Sequence, residues 1–355
     1  MKIKEIQQEI EKKQLSSFLF SSRPNVFYLS GFSSTNAYIL LTPTEKYFIT
    51  DSRYYEGAKE KLKDWKLILL GEGGKKQLEH LIEIINSYGG KKIGFEEDRV
   101  TLSFYKKLKE NIKSDLIGYS GFLTRFRMGK TEKEIQIIRT AVEKTDAVFQ
   151  KILDYIPRAT DELDLRREII NSIFLEGGTG ESFPAIVASG ENSAIPHHET
   201  SHTPIKNNSL LLIDMGMVYE GYCSDFTRTV FVGSVDPELE KIYQIVREAH
   251  LRAVEKVKAG VPVKEIDMAA RETIKKYGYE KYFTHSTGHG VGIEIHEAPR
   301  ISNQSEEILE ENAVITIEPG IYLPGKGGVR LENIVVARKN GCEVLTGTPL
   351  EPVVI

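Results

Sequence analysis

Cysteine is scarce in this chain: Cys223 and Cys342 are the only two among 355 residues. One pair at most could form, too few for the disulfide framework of a secreted two-domain protein, so both are expected to be free thiols in a reducing cytoplasm. A basic excess is missing as well. The 47 Lys and Arg stand against 51 Asp and Glu, a net charge of -4, which leaves nothing to neutralise a phosphate backbone; nucleic acid is not an expected partner. No apolar run approaches the roughly 18 residues that cross a bilayer, and Leu210 to Ile213 has only strand length, so no membrane is expected. The opening MKIKEIQQEIEKKQ mixes charge with apolar residues where a signal peptide needs an unbroken apolar stretch, so no export is expected. Nor is there a glycine-rich phosphate loop: Gly288-x-Gly290 lacks the third glycine and the helix that should follow it.

What is present suits buried cores, with 40% hydrophobic and 28% charged residues, and the length corresponds to about two domains. Ile3, Ile6, Ile10 and Leu15 give the first segment one apolar face. Strand-like runs follow at Ser17 to Ser21, Ala37 to Leu41, Tyr47 to Thr50 and Lys66 to Leu70, with helical stretches at Tyr54 to Lys63, Lys76 to Tyr88 and Thr101 to Asn111. This alternation is α/β. The basic, nonperiodic segment Thr124 to Lys130 precedes a capping box, Thr131-Glu-Lys-Glu134, so the expected domains are 1–124 and 125–355. The second opens with helices from Thr131 to Tyr155 and Asp161 to Leu175. Strand-like Phe183 to Ala188 and Leu210 to Val232 follow, then helices begun by Asp236-Pro237 and Pro262 and a β-rich end from His285. That block pattern is α+β.

Seven of the eight histidines lie between residues 197 and 296. His80 and His250 fall on amphipathic helices, and His198 and His202 in a polar loop, where an ordinary structural role is expected. Asp214 ends the apolar run Leu211-Leu-Ile, and Asp225 follows eleven residues later in Gly221-Tyr-Cys-Ser-Asp225; a hairpin between them can bring both acids to one side of a sheet. Taken alone, these two acids read as turn residues. Glu318 ends the run Ala313-Val-Ile-Thr-Ile against Pro319-Gly320, and Glu332 is expected within a strand, on the same face as Arg330 two residues before it. The glycines flanking His289 are expected to let the chain turn while the imidazole approaches an ion. Four acids in strongly apolar surroundings need more compensation than the nearby arginines supply, and divalent cations fit. Oxygen donors with one imidazole suit manganese, cobalt, iron or zinc, and five such ligands can hold two ions about 3.5 to 4 Å apart.

These pieces, in this order, resemble the prolidase and Xaa-Pro aminopeptidase family, pita-bread metallopeptidases: Asp214, Asp225, Gly-His289-Gly, Glu318-Pro-Gly and Arg330-x-Glu332-Asn. Pro24-Asn-Val-Phe-Tyr-Leu-Ser-Gly-Phe32 and Thr50-Asp-Ser-Arg-Tyr-Tyr-Glu56 are similar to segments of its creatinase-like N-terminal domain. The resemblance implies an α/β N-terminal domain and an α+β pita-bread catalytic domain that hydrolyses the bond between an N-terminal residue and proline. It implies two divalent ions per subunit, manganese or cobalt before zinc or iron. Asp214 would hold one ion, His289 and Glu318 the other, and Asp225 and Glu332 both. Glu318 would also move the proton, His197 and His296 would contact substrate, and His285 and Arg330 would support the ligands. Arg300 falls where prolidases bind the product-side carboxylate, which favours a dipeptidase, although aminopeptidases of the family often carry arginine there too. Methionine aminopeptidase, creatinase-like hydrolysis and a non-catalytic binding protein are less favoured alternatives. The expected partners are short proline-containing peptides and a second copy of the chain, with Asp51, Arg53 and Tyr54 as candidates for limiting access to the site.

Overall fold

The computed structural model describes residues 2–355, and the chain divides into two compact units, one running to Arg127 and the other Met128–Ile355. The first contains six strands, β1 Ser17–Phe20, β2 Ala37–Leu41, β3 Lys46–Thr50, β4 Lys66–Leu69, β5 Lys92–Glu96 and β6 Asp115–Tyr119. They form one sheet in the order β4-β3-β2-β1-β5-β6, antiparallel at β1/β2 and β2/β3 and parallel elsewhere. Its helices are α1 Ile3–Lys12, α2 Arg23–Ser30, α3 Ser52–Lys61, α4 Gln77–Tyr88, α5 Leu102–Asn111 and α6 Thr124–Met128.

Three of these elements are not apparent in the residue pattern, and a fourth replaces an expected irregular stretch. Helix α2 buries Asn25, Val26, Tyr28, Leu29 and Ser30, so it lacks the polar face that betrays a surface helix. Strands β5 and β6 carry Lys, Gly and Asp that dilute their apolar signal; parallel neighbours supply the missing stabilisation. The segment from Thr124, expected to be nonperiodic, forms the short α6.

The second unit has four long helices, α7 Glu132–Tyr155, α8 Glu162–Leu175, α9 Pro237–Lys256 and α10 Val263–Lys276. The expected capping box opens α7: Thr131 accepts from the Glu134 N–H at 3.3 Å while the Glu134 carboxylate accepts from Thr131 N–H at 2.8 Å. Such a cap contributes about 1 kcal/mol. Asp236 likewise caps α9, ahead of Pro237. The strands are β7 Ile186–Ser189, β8 Ser209–Met215, β9 Val218–Tyr219, β10 Tyr222–Cys223, β11 Phe226–Val232, β12 Gly288–Gly290, β13 Glu297–Ile301, β14 Val314–Ile317, β15 Gly320–Leu323, β16 Gly327–Arg330, β17 Asn333–Arg338 and β18 Gly341–Val344.

Two main sheets, each lined by a helix pair, form the core of this α+β unit, and β9/β10 and β15/β16 add two short ribbons. Strands β11-β8-β7 pack Leu211, Ile213 and Val230 against Val148 and Phe149 of α7 and Ile169 of α8. Strands β13-β12-β14-β17-β18 pack Ile315 and Val335 against Ile242 and Val246 of α9 and Ile266 of α10. Between residues 314 and 338 the chain forms one long hairpin, paired first as β14/β17 in the large sheet and then as β15/β16 in a ribbon. Both arms leave the large sheet at the same level, at Glu318-Pro319 and at Leu331-Glu332. Glu332 is therefore not inside a strand, contrary to the pattern-based expectation. It occupies the break between β16 and β17, because the two strands belong to different sheets.

Candidate metal centre

Two hairpins present the acids. In β8/β11 Asp214 stands directly opposite Thr227, which places their side chains on one face, and Asp225 joins that face two residues before Thr227. The long hairpin supplies Glu318 and Glu332 from its facing breaks. His289 comes from β12, enclosed between β13 and β14. Its flanking glycines serve close strand approach and not the expected turn: a Cβ on Gly288 would lie 2.0 Å from the Thr316 carbonyl oxygen, and one on Gly290 2.2 Å from that of Ala298.

These five side chains, drawn from separate parts of the second unit, converge. His289 Nε2 lies 3.4 Å from Asp225 Oδ2 and 3.4 Å from Glu318 Oε1. Asp225, His289 and Glu332 each present a donor atom within 4.8 Å of the others. The opposite ring nitrogen of His289, Nδ1, donates to the Gly290 carbonyl at 3.0 Å, which turns Nε2 toward the acids. Asp214 is held from behind by Arg330, Nη2 to Oδ2 at 2.5 Å.

Electrostatics mark the cluster as incomplete. Burial pushes the Asp225 carboxyl up, with the Asp214 charge adding to the effect against the pull of His289. Burial and the neighbouring acids raise Glu318 to about 7 and Glu332 well above the usual carboxylate range. Burial alone would lower His289, but its Asp225 hydrogen bond and the Glu318 charge outweigh that and bring it to about 9. Protons are thus retained where charge is crowded. Two buried oxygens, Asp214 Oδ1 and Glu332 Oε1, have no hydrogen-bond partner, an expensive condition for a carboxylate. Hard divalent cations would satisfy both and displace the retained protons, so the donor set fits such ions.

A second layer fixes the donors. Burial, then the Arg330 charge, lowers His285 to about 3, so its ring is neutral at pH 7. Its Nδ1–H donates to the Ser286 carbonyl at 2.8 Å and its Nε2 accepts from the Tyr322 hydroxyl at 2.8 Å. The Tyr322 oxygen in turn accepts from Arg330 Nη1 at 2.8 Å. Arg330 Nη1 also reaches the Pro196 carbonyl at 3.3 Å, next to His197. His197 is exposed. The His296 ring packs edge-on against His289 with centroids 4.3 Å apart. Arg300 is exposed and stands opposite His289 in the β12/β13 register, on the same sheet face.

Residue patterns alone did not single out three of the supporting residues. Thr227 Oγ1 donates to Glu332 Oε2 at 2.7 Å and accepts from Arg330 Nε at 3.3 Å. Thr316 Oγ1 accepts from the His289 N–H at 3.1 Å and donates to Glu318 Oε1 at 3.3 Å. Tyr322 is the third. A hydroxyl two residues from an acid, as in Asp225-x-Thr227 and Thr316-x-Glu318, was the available signal, because strand period two puts both on one face. Three of the four histidines expected to be structural have hydrogen-bond partners: His198 Nε2 meets Glu162 at 2.8 Å and His202 Nδ1 meets Asp161 at 2.8 Å. His80 Nδ1 accepts from the Gly71 N–H at 3.0 Å. His250 is buried with both ring nitrogens unpartnered.

A two-layered donor set supplied by two hairpins and strand β12, in an α+β unit that follows a separate α/β unit in the chain, defines a metalloprotein class. Known proteins narrow it. Residues 136–339 match the model of metallopeptidase family M24, and residues 2–129 match that of the creatinase/prolidase N-terminal domain. An Xaa-Pro dipeptidase from Pyrococcus horikoshii is 37% identical over 353 residues, covering 99% of this chain and 98% of the relative. Among solved structures, an Xaa-Pro dipeptidase from Bacillus anthracis superposes with a TM-score of 0.96 at 36% identity, covering 100% of this chain and 99% of the other. An X-Pro aminopeptidase from Thermotoga maritima gives a TM-score of 0.90 at 36% identity, with 96% and 98% covered. The chain belongs to metallopeptidase family M24, with a creatinase-type N-terminal domain followed in sequence by the pita-bread catalytic fold, and membership implies divalent metal ions.

Proposed function

We propose that this protein is an Xaa-Pro dipeptidase that uses two divalent ions to cleave the bond between an N-terminal residue and proline. The observation that carries this reading is the buried carboxylate and imidazole cluster with two unsatisfied oxygens, Asp214 Oδ1 and Glu332 Oε1, in a chain similar to named Xaa-Pro dipeptidases along nearly its whole length. Asp214 would hold one ion, His289 and Glu318 the other, and Asp225 and Glu332 would bridge them. Manganese or cobalt suits this oxygen-rich set best, with zinc or iron as alternatives. What the ions supply when bound is Lewis acidity, which brings a water's pKa down towards about 7 and polarises the scissile carbonyl.

The chain's own residues do the rest. Glu318, whose Oε1 lies 3.4 Å from His289 Nε2 in the cluster, takes the proton of the attacking water and delivers it to the proline nitrogen as the bond breaks. His296, beside His289, and His197 donate to the carbonyl oxygen as negative charge develops there. Arg300 binds the product-side carboxylate, which only a dipeptide places next to the proline ring. Arg330, Tyr322 and His285 keep Asp214 from swinging toward solvent. The bond to proline lacks an N–H, so a site that reads the ring and the carboxylate accepts what backbone-clamping peptidases reject.

An Xaa-Pro aminopeptidase is the second reading, favoured by the structural likeness to the Thermotoga maritima enzyme. A homodimer working in the cytoplasm completes the proposal, consistent with two free cysteines and with no helix, among the described residues, long and apolar enough to cross a membrane. The deciding experiment offers the metal-reconstituted full chain Xaa-Pro dipeptides, longer Xaa-Pro peptides, a Met-Ala peptide and creatine, with elemental analysis alongside. Dipeptide cleavage that a chelator abolishes, with close to two ions per chain, is the expected result. Turnover confined to longer peptides replaces the first reading with the second, and failure to bind stoichiometric metal overturns both.

A further inference from the structure

Helix α10 contributes no side chain to the cluster, yet one of its residues reaches the backbone that carries two of the donors. Asp267 is fully buried. Its Oδ1 accepts from both the N–H and the hydroxyl of Thr287, at 3.1 and 2.8 Å, and from Arg271 Nη2 at 3.2 Å; its Oδ2 accepts from Arg271 Nε at 2.6 Å. Arg271 lies over the Phe283 ring at 4.4 Å and donates to the carbonyls of Phe283 at 3.2 Å and His285 at 2.5 Å. The segment from Phe283 to Thr287 is therefore clamped to one helix at successive points.

The clamp has an outlet into the cluster. Thr287 lies two residues before His289, and its carbonyl accepts the backbone N–H of Glu318 at 2.7 Å. Both donors proposed to share one ion thus hang from the residue that Asp267 grips. A buried carboxylate is a costly way to anchor a helix whose Ile266 and Ala270 already pack in an apolar core. The cost has a return if the polar contacts set a distance.

We propose that Asp267 is a positioning residue that acts through Thr287 to hold His289 and Glu318 at the separation needed by the ion they share. This inference rests on the metal reading above and deepens it. The test titrates the metal-depleted full chain with cobalt(II), following heat and visible absorption, for wild type, Asp267→Asn, Thr287→Val and Glu162→Gln. Glu162 is an equally buried carboxylate that binds the Ser189 and Ser201 N–H groups at 2.8 and 3.1 Å, so its loss loosens the fold at a different place. Wild type should take two ions. Asp267→Asn should weaken one of them by about 10- to 100-fold and alter its absorption band while sparing the other. Thr287→Val, which keeps the backbone contact, should move affinity in the same direction by less and carries the test if Asp267→Asn does not fold. Glu162→Gln should lower the melting temperature with wild-type cobalt binding. Wild-type titration of both Asp267→Asn and Thr287→Val overturns the inference, as does equal weakening by Glu162→Gln, which would make the effect one of general loosening. If wild type itself takes no cobalt, the metal reading fails first and this inference falls with it.

Discussion

Glu96 in the first unit and Glu332 in the second are equally buried, each about 2% exposed, and they are opposites. Every lone-pair direction of Glu96 is met: it accepts from the N–H groups of Ser21 and Ser22 at 2.7 and 2.9 Å, from Ser22 Oγ at 2.8 Å and from Asn25 Nδ2 at 2.5 Å. Glu332 has one donor, Thr227, and leaves Oε1 bare among other acids. Both glutamates are removed from water, so burial does not distinguish them; completion does. A carboxylate whose partners are all supplied by the chain ties structure together, whereas one left unfinished in a cluster is prepared for something the chain does not supply.

That contrast can be broken experimentally, and the largest effect is expected at the unfinished end. Glu318→Gln should lower kcat on Xaa-Pro dipeptides by about 10²- to 10⁴-fold, read in steady-state kinetics at saturating metal; a change within a few-fold would remove Glu318 from proton transfer. His296→Ala should cost about 10²- to 10³-fold in kcat with little change in KM, since its donation is needed as charge develops. Arg330→Lys cannot hold Asp214, Tyr322 and Thr227 at once as the guanidinium does, and metal affinity measured by calorimetry should fall about 10- to 100-fold.

At the finished end the signs differ. Glu96→Gln should cost about 1 to 3 kcal/mol in denaturant unfolding, because donors now face an amide that cannot accept from all of them, and it should leave metal affinity untouched. A metal defect in that variant would collapse the distinction. An effect confined to low pH belongs to His250, whose burial, with the Arg228 charge, lowers it to about 3. Its unfolded value is about 6.5, so between these limits the unfolded chain binds the extra proton, and the stability this neutral histidine allows is present above pH 6.5 and lost as pH falls towards about 3. His250→Phe should remove that slope, gaining about 2 kcal/mol relative to wild type at pH 5 compared with pH 8. Parallel pH profiles for the two proteins would refute it.

Much of the catalytic unit is visible in residue order. The Thr131 and Asp236 caps and the apolar runs ending in Asp214 and Glu318 each follow local rules of period and capping. Other features escaped because local rules do not contain them. Strand β5 is stabilised by strands on both sides, α2 by burial all round, and Glu332 sits at a break that exists only because two sheets meet there.

Sequence by itself determined the chemical identity of the donors, their order, and the two-unit division of labour, since residue type and apolar patterning are properties of short segments. Tertiary structure alone decided that Asp225, His289, Glu318 and Glu332 face one another, that Thr227, Thr316 and Tyr322 hold them, and that two carboxylate oxygens remain unsatisfied. Those are distances between atoms far apart along the chain, and they come into being only when separate hairpins pack against a common core.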